Sequence, residues 1–270
     1  MRALALGLLS TLMLGSQAEA ADSELYTFHC LWGCPVGASA TNDVLVREIY
    51  TLSSNDLTKI ADWVAYRVTP QTIAASQDSR NYRIDPWIDP GETLSEPQYS
   101  GASSALHIDH GHQAPLAAFS GTPHWDDTNV NSNMTPQGSA LNRGPWQRLE
   151  GWERSATLQT MGAVYVYTGP LFERLMKAMP AGPTYHRVPS GYWKVIALAD
   201  GRMSAFIMDQ NTPQNGKHCD YRVPLLHVEL RARLSLFPAR GATQFSSLDA
   251  LLGCNTPPPP PPAPSEITAN

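Results

Sequence analysis

The sequence predicts an α+β domain: a mainly antiparallel central sheet flanked by helices. Three observations carry that expectation. Five short segments hold β-branched and aromatic residues in partial alternation, and two longer segments show helical periodicity. The two kinds are mixed without the strict alternation that a parallel sheet requires.

In chain order, "DVLVREIY" (43–50) and "IADWVAYRV" (60–68) are the first expected strands. "AVYVYTG" (163–169), "YWKVIAL" (192–198) and "MSAFIMD" (203–209) come after them. The helices are expected in "GPWQRLEGWERSATLQTM" (144–161) and "GPLFERLMKAM" (169–179). Each opens on Gly-Pro, and proline suits a first helical turn because the N–H it lacks would have no partner there. No repeat is visible at solenoid or propeller periods.

The chain has 270 residues, 42% hydrophobic and 16% charged, with seven Trp and ten Tyr. That is enough apolar material for a sizeable core. No linker-like break in composition falls between about 22 and 255, so a single domain over 21–255 is expected. The formal charge of −5 gives no global basic field, although a local arginine cluster can still serve a phosphate inside an acidic protein.

Residues 1–20 have the layout of a cleavable export signal. Arg2 is the basic start, 3–14 the short apolar run, and Ala18, Glu19 and Ala20 a small-x-small cleavage site. The run is short for a bilayer span, and no later stretch reaches ~18 continuous apolar residues. The expected product is secreted or periplasmic, with no membrane partner. At the other end, 256–270 is a proline-rich tail, expected to be extended and solvated.

Export gives the four cysteines a compartment in which to pair. Three connectivities are open, of which the simplest is local: Cys30 with Cys34, bridging a short turn, and Cys219 with Cys254. A zinc site is a poorer reading, since only one close cysteine pair exists and no histidine partner follows at finger spacing.

The densest chemistry lies in "HIDHGH", where His107, Asp109, His110 and His112 fall within six positions. As a zinc cluster the pattern is awkward. On a strand His107 and Asp109 would share one face, while His110 and His112 take the other. Further ligands would also be needed, and His124, His186, His218 and His227 have no motif context. A zinc hydrolase using these four residues remains a rival reading.

The segments around the cluster decide the expectation. "DHGHQAPLAAF", "NMTPQGSALNRGPWQRLEGWER", "VYTGPLFER" and "SGYWKVI…FIMDQNTP" resemble, in order and spacing, the DNA/RNA non-specific endonuclease family, most closely its secreted Serratia-type branch. The likeness extends to "CLWGCPVGAS", "LSSNDLTKIADWVAYRVT" and "SRNYRIDP", and leaves out only the signal and the tail. The resemblance implies a ββα-metal (His-Me finger) core. It also implies cleavage of single- and double-stranded DNA and RNA to 5′-phosphorylated pieces, with magnesium as cofactor and manganese able to substitute; the oligomeric state is left open by the sequence, a homodimer being one candidate.

The family signature Asp-Arg-Gly-His stands here as Asp109-His110-Gly111-His112, which places the general base on His112. The resemblance puts the magnesium ligand on Asn142 and supporting roles on Arg80, Asn133, Glu150 and Arg154. These assignments fit the chemistry. A neutral imidazole can take a proton from water near pH 7, and magnesium keeps most of its own waters, so one amide oxygen suffices from the protein. Glu150 and Arg154, four apart, are expected to share a helix face and pair, with Glu150 reaching the metal through water. Arg80 and Arg154 would grip the phosphate. Asn133 also starts a glycosylation sequon, read as coincidental because a sugar there would obstruct the site.

One position departs from the signature. His110 replaces an arginine that would carry permanent charge, which predicts a lower pH optimum or reduced turnover. It also keeps open a catalytically weakened nucleic-acid-binding module of the same fold.

Overall fold

The computed structural model describes residues 25–76, 79–241 and 245–255; the expected signal and the proline-rich tail lie outside them. The main sheet has eight strands: β1 (Asp43–Val46), β2 (Tyr50–Asn55), β3 (Ile60–Val68), β6 (Val164–Leu171), β7 (Gly191–Ala197), β8 (Arg202–Asp209), β9 (Arg222–Val223) and β10 (Ser246–Ser247). They run in the order β1-β2-β3-β6-β7-β8-β10, with β9 also on β8. Every pairing is antiparallel except that of β10 with β8. A separate ribbon pairs β4 (Ile108–His112) with β5 (Met134–Gly138).

Alternation along the strands divides the core in two. Val64, Tyr66, Val166, Tyr192 and Ile196 face a layer containing Trp146, Leu149 and Ala156 of the long helix and its approach. Trp63, Ala65, Tyr167, Trp193 and Val195 face the other layer, with Val228 and Phe237. That second layer includes α4 (Leu225–Ala232) and the Cys30–Cys34 loop. Both expected disulfides are present, Cys30–Cys34 and Cys219–Cys254.

Two expected elements are corrected. "DVLVREIY" is not one strand: β1 ends at Val46, and Arg47 to Ile49 turn into β2, with the Arg47 N–H donating to the Tyr50 carbonyl at 2.9 Å. Arg47 is buried, paired with Asp85 and set over the Trp87 ring, a contact a continuing strand would break.

"GPLFERLMKAM" is not a helix. Gly169 and Pro170 lie inside β6 opposite Trp193 and Tyr192, and the chain beyond Leu171 is irregular. A Cβ on Gly169 would sit 2.2 Å from the Asp62 carbonyl, so that approach needs glycine. Phe172, Met176 and Met179 pack into a third apolar cluster beside the strands. Two exposed ion pairs, Glu173–Arg231 and Arg174–Asp209, tie the segment down. Tertiary contacts outweigh its helix propensity.

Among the described residues no helix is long and apolar enough to cross a membrane.

Candidate active site

Strand β4, strand β5 and the helix after them form a ββα unit, whose helical arm is bent at its start. One short turn, α2 (Ser139–Leu141), passes into a wide π turn at Asn142–Trp146 before α3 (Gln147–Thr160) begins. Gly144 makes the bend, with φ −114° and ψ −117°. A Cβ there would lie 2.6 Å from the Gln214 carbonyl. Pro145 sits just after the bend, before the regular hydrogen-bond ladder of α3. The bend sets Asn142 at the mouth of the helix, opposite β4.

Between strand and helix lies a cavity of about 480 Å³. Its lining includes Arg80, Asp109, His110, His112, Asn142, Glu150 and Arg154 from the expected site, joined by Tyr82 and Arg143. Arg80 and Tyr82 come from a loop whose end is pinned: the Arg83 N–H donates to the Asn129 carbonyl, and the Asn131 N–H donates to the Arg83 carbonyl.

His112 closes β4. Its Nε2 lies 3.1 Å from Asn129 Oδ1, while the Asn129 amide nitrogen donates to Asp126 Oδ1 and the Ser79 carbonyl. Those two acceptors orient the amide, so Nε2 of the imidazole is the donor and Nδ1 is its basic nitrogen. Burial pushes the His112 pKa down to about 4, with the Asn129 hydrogen bond opposing and Arg80 and His110 adding to the fall. The ring is therefore neutral through the physiological range, the state a proton acceptor needs.

His110 is held differently. Its ring is stacked between Tyr99 at 3.8 Å and Tyr82 at 4.6 Å, and its Nε2 is 3.1 Å from Glu96 Oε2. Burial lowers its pKa while Glu96 and Asp109 oppose the shift.

Asp109 collects donors from across the cavity. It accepts from Ser139 Oγ at 2.7 Å, Asn142 Nδ2 at 3.0 Å, and Arg143 through Nε at 2.8 Å and Nη2 at 2.6 Å. Burial alone would raise its carboxyl, but the hydrogen bonds from Arg143, Asn142 and Ser139 outweigh that and hold it below the usual carboxylate range. The bond to Asn142 Nδ2 also fixes which end of that amide is which. Its Oδ1 accepts no hydrogen bond among the described residues, and Asn142 belongs to the cavity lining. An uncommitted amide oxygen with a nearby carboxylate is a hard-oxygen donor set, suited to a hard divalent cation rather than to zinc.

Glu150 does not pair with Arg154, contrary to the expectation from spacing. Its ion pair is with Lys194 of β7, at 3.7 Å, and Arg154 forms none within 4 Å among the described residues. Lys194 is fully buried, pairs with Glu153 at 2.8 Å, and lies over the Trp146 ring at 4.5 Å. A buried cation draws a neighbouring carboxylate more strongly than a partly exposed arginine one turn away. Burial raises the Glu150 pKa to about 7; Lys194 pulls it back and Glu153 pushes it further.

Asn133 is not in the cavity wall. It is fully buried, donating to the Ala114 and Thr128 carbonyls and accepting from the Ala114 N–H, so it staples the loop after β4 to the turn before β5. A side chain with both amide hydrogens committed inside the fold has no room for a glycan.

His107 is exposed at the end of α1 (Ala102–Leu106), in the left-handed region with φ 53°. The ligand atoms of His107, Asp109, His110 and His112 do not converge as a metal site. The groups that converge among the described residues are His218 with the bonded Cys219 and Cys254, and Asp43, Asp56 and Glu92 on the surface. The zinc-cluster reading of "HIDHGH" fails on that geometry.

Sequence reasoning misses Asn129, Lys194 and Tyr82. Tyr82 lies inside "SRNYRIDP", but Asn129 and Lys194 carry no motif and become visible only through their partners.

The model of the DNA/RNA non-specific endonuclease family matches residues 34–240. The chain belongs to that family. It is 43% identical over 234 residues to the Nuclease of Serratia marcescens, covering 85% of this chain and 87% of the other. It is 31% identical to Nuclease C1 of Cunninghamella echinulata var. echinulata, over 78% of this chain and 89% of that one. Among solved structures, a chain from the crystal structure of the EndoG/EndoGI complex superposes with a TM-score of 0.64 at 27% identity. It covers 76% of this chain and 89% of that one. The protein is thus an endonuclease with a ββα-metal fold.

Proposed function

We propose that this endonuclease is an exported, magnesium-dependent enzyme that cuts single- and double-stranded DNA and RNA internally, leaving 5′-phosphates. The domain would span 21–255, following removal of residues 1–20. The observation that carries the reading is the neutral His112, locked in one tautomer by Asn129, in a cavity also lined by Arg80, Arg154 and Asn142, whose amide oxygen is uncommitted.

In this reading Nδ1 of His112 takes a proton from the attacking water, whose oxygen forms the new bond to phosphorus as the bond to the 3′ oxygen breaks. Arg80 and Arg154 bind the phosphate oxygens and balance the charge that grows on them. Asn142 would hold the metal directly and Glu150 through a water; when bound, magnesium supplies charge stabilisation for the phosphate and the departing oxygen. Asn133 supports the site from behind by fixing the loop after His112. The cavity offers donors for phosphate and no base-reading element, so sequence preference should be slight.

Purified protein incubated with plasmid DNA and with RNA tests the proposal. Degradation of both with magnesium or manganese, halted by EDTA and insensitive to a zinc-selective chelator, is the expected result. Intact substrates with either metal across pH 5 to 9 would instead point to a binding module of the same fold.

A further inference from the structure

We infer that Arg143 is a phosphate-binding residue, supplying from the helix side the permanent cation that the signature would place at His110. The inference rests on the nuclease reading above and concerns how that same cavity holds its substrate.

His110 is poorly disposed for the task. Tyr82 and Tyr99 cover the two faces of its ring, and the Glu96 carboxylate lies against its Nε2. A phosphate approaching that edge would meet an anion first.

Arg143 has the complementary properties. It follows Asn142 in the bend before α3 and lines the same cavity, with its side chain 64% exposed. Its Nε and Nη2 are committed side-on to Asp109, the residue immediately before His110, so the guanidinium is tied to the strand one position from the replaced arginine. Asp109 is itself fixed by Ser139 and Asn142, which removes most of the freedom an exposed arginine would otherwise lose on binding. The remaining nitrogen, Nη1, donates to nothing among the described residues. A bidentate carboxylate on one edge with donors left on the other is the arrangement in which arginine presents itself to a phosphate.

The test separates binding from chemistry. A fluorescein-labelled DNA duplex is titrated with His112→Ala protein in EDTA, and affinity is followed by anisotropy from 50 to 200 mM salt. Adding Arg143→Gln should weaken binding about tenfold at low salt and flatten the slope of log K against log salt by ~0.9, one phosphate contact. Adding His110→Arg to that variant should recover most of both losses, while His110→Arg alone gains less. Unchanged affinity and slope on Arg143→Gln, with the parent binding normally, would overturn the inference and leave the nuclease reading standing. So would equal gains from His110→Arg with either residue at 143. A parent that binds no DNA would remove both.

Discussion

The two sides of the cavity each present one acid, and they hold it in opposite ways. On the strand side, Asp109 is surrounded by donors from Ser139, Asn142 and Arg143, and its carboxyl is held below the usual range. On the helix side, Glu150 leans on a lysine that is itself buried and shared with Glu153, and burial carries its pKa up to about 7. The strand-side acid is an organiser: two of its partners, Asn142 and Arg143, line the cavity. The helix-side acid is mounted on a buried ionic core that runs through Glu153 to the Tyr66 hydroxyl. One side orders the surface that meets substrate, and the other is braced against the central sheet.

If that contrast holds, the helix side should be the costlier one to disturb. Lys194→Met leaves two carboxylates without their cation inside the core, and should lower stability by ~3–5 kcal/mol. Lys194→Met with Glu153→Gln removes charge from both partners and should recover a good part of the loss. Urea unfolding of the three proteins checks this; equal stabilities would show that the buried network is not what braces Glu150.

The histidines set the response to acid. His29 is buried against Thr51 and the Glu48 carbonyl, and burial pushes its pKa down to about 4, as it does for His112. An imidazole in the unfolded chain titrates near 6.5. Between 6.5 and about 4 the unfolded state therefore binds more protons, and stability falls as pH drops through that window. His29 alone should account for a loss on the order of 3 kcal/mol. Thermal melts from pH 7 to 4 should show a steep decline that His29→Gln reduces; parallel curves would show that burial of His29 is not the cause.

The strand side should yield the smallest change. Asp109→Asn weakens a partly exposed carboxylate cluster and should lower stability by about 1–2 kcal/mol. The same change should weaken the hold on Asn142 and Arg143, so its effect on activity should exceed its effect on the melting temperature. The reverse ranking would make Asp109 a structural residue.

Legibility in the sequence divides along similar lines. The segment 60–68 alternates β-branched, aromatic and small residues, and β3 is observed over that span. The motif residues His112, Asn142, Glu150, Arg154 and Arg80 all reach one cavity. Local patterns carry such features because each depends on near neighbours or on a motif with fixed spacing. Gly144-Pro145 correctly precedes a helix, whereas Gly169-Pro170 lies in a strand, and only packing against Trp193 and Asp62 distinguishes them. The partners of the site residues were hidden for the same reason. Lys194 occupies one position in an apolar strand, and nothing near it in sequence indicates that it faces Glu150 and Glu153 across the core. Asn133 illustrates the converse: its motif was visible, but its burial behind the cavity was not.

In the proposed reaction a neutral His112, held by Asn129, performs the proton transfer in phosphodiester cleavage. The most direct measurement is the turnover of His112→Ala on plasmid DNA with saturating magnesium, with DNA affinity measured alongside. The rate should fall by roughly 10²–10⁴-fold, with affinity essentially retained. A variant that cuts within a few-fold of the parent rate would contradict this role and move the base to another residue of the cavity.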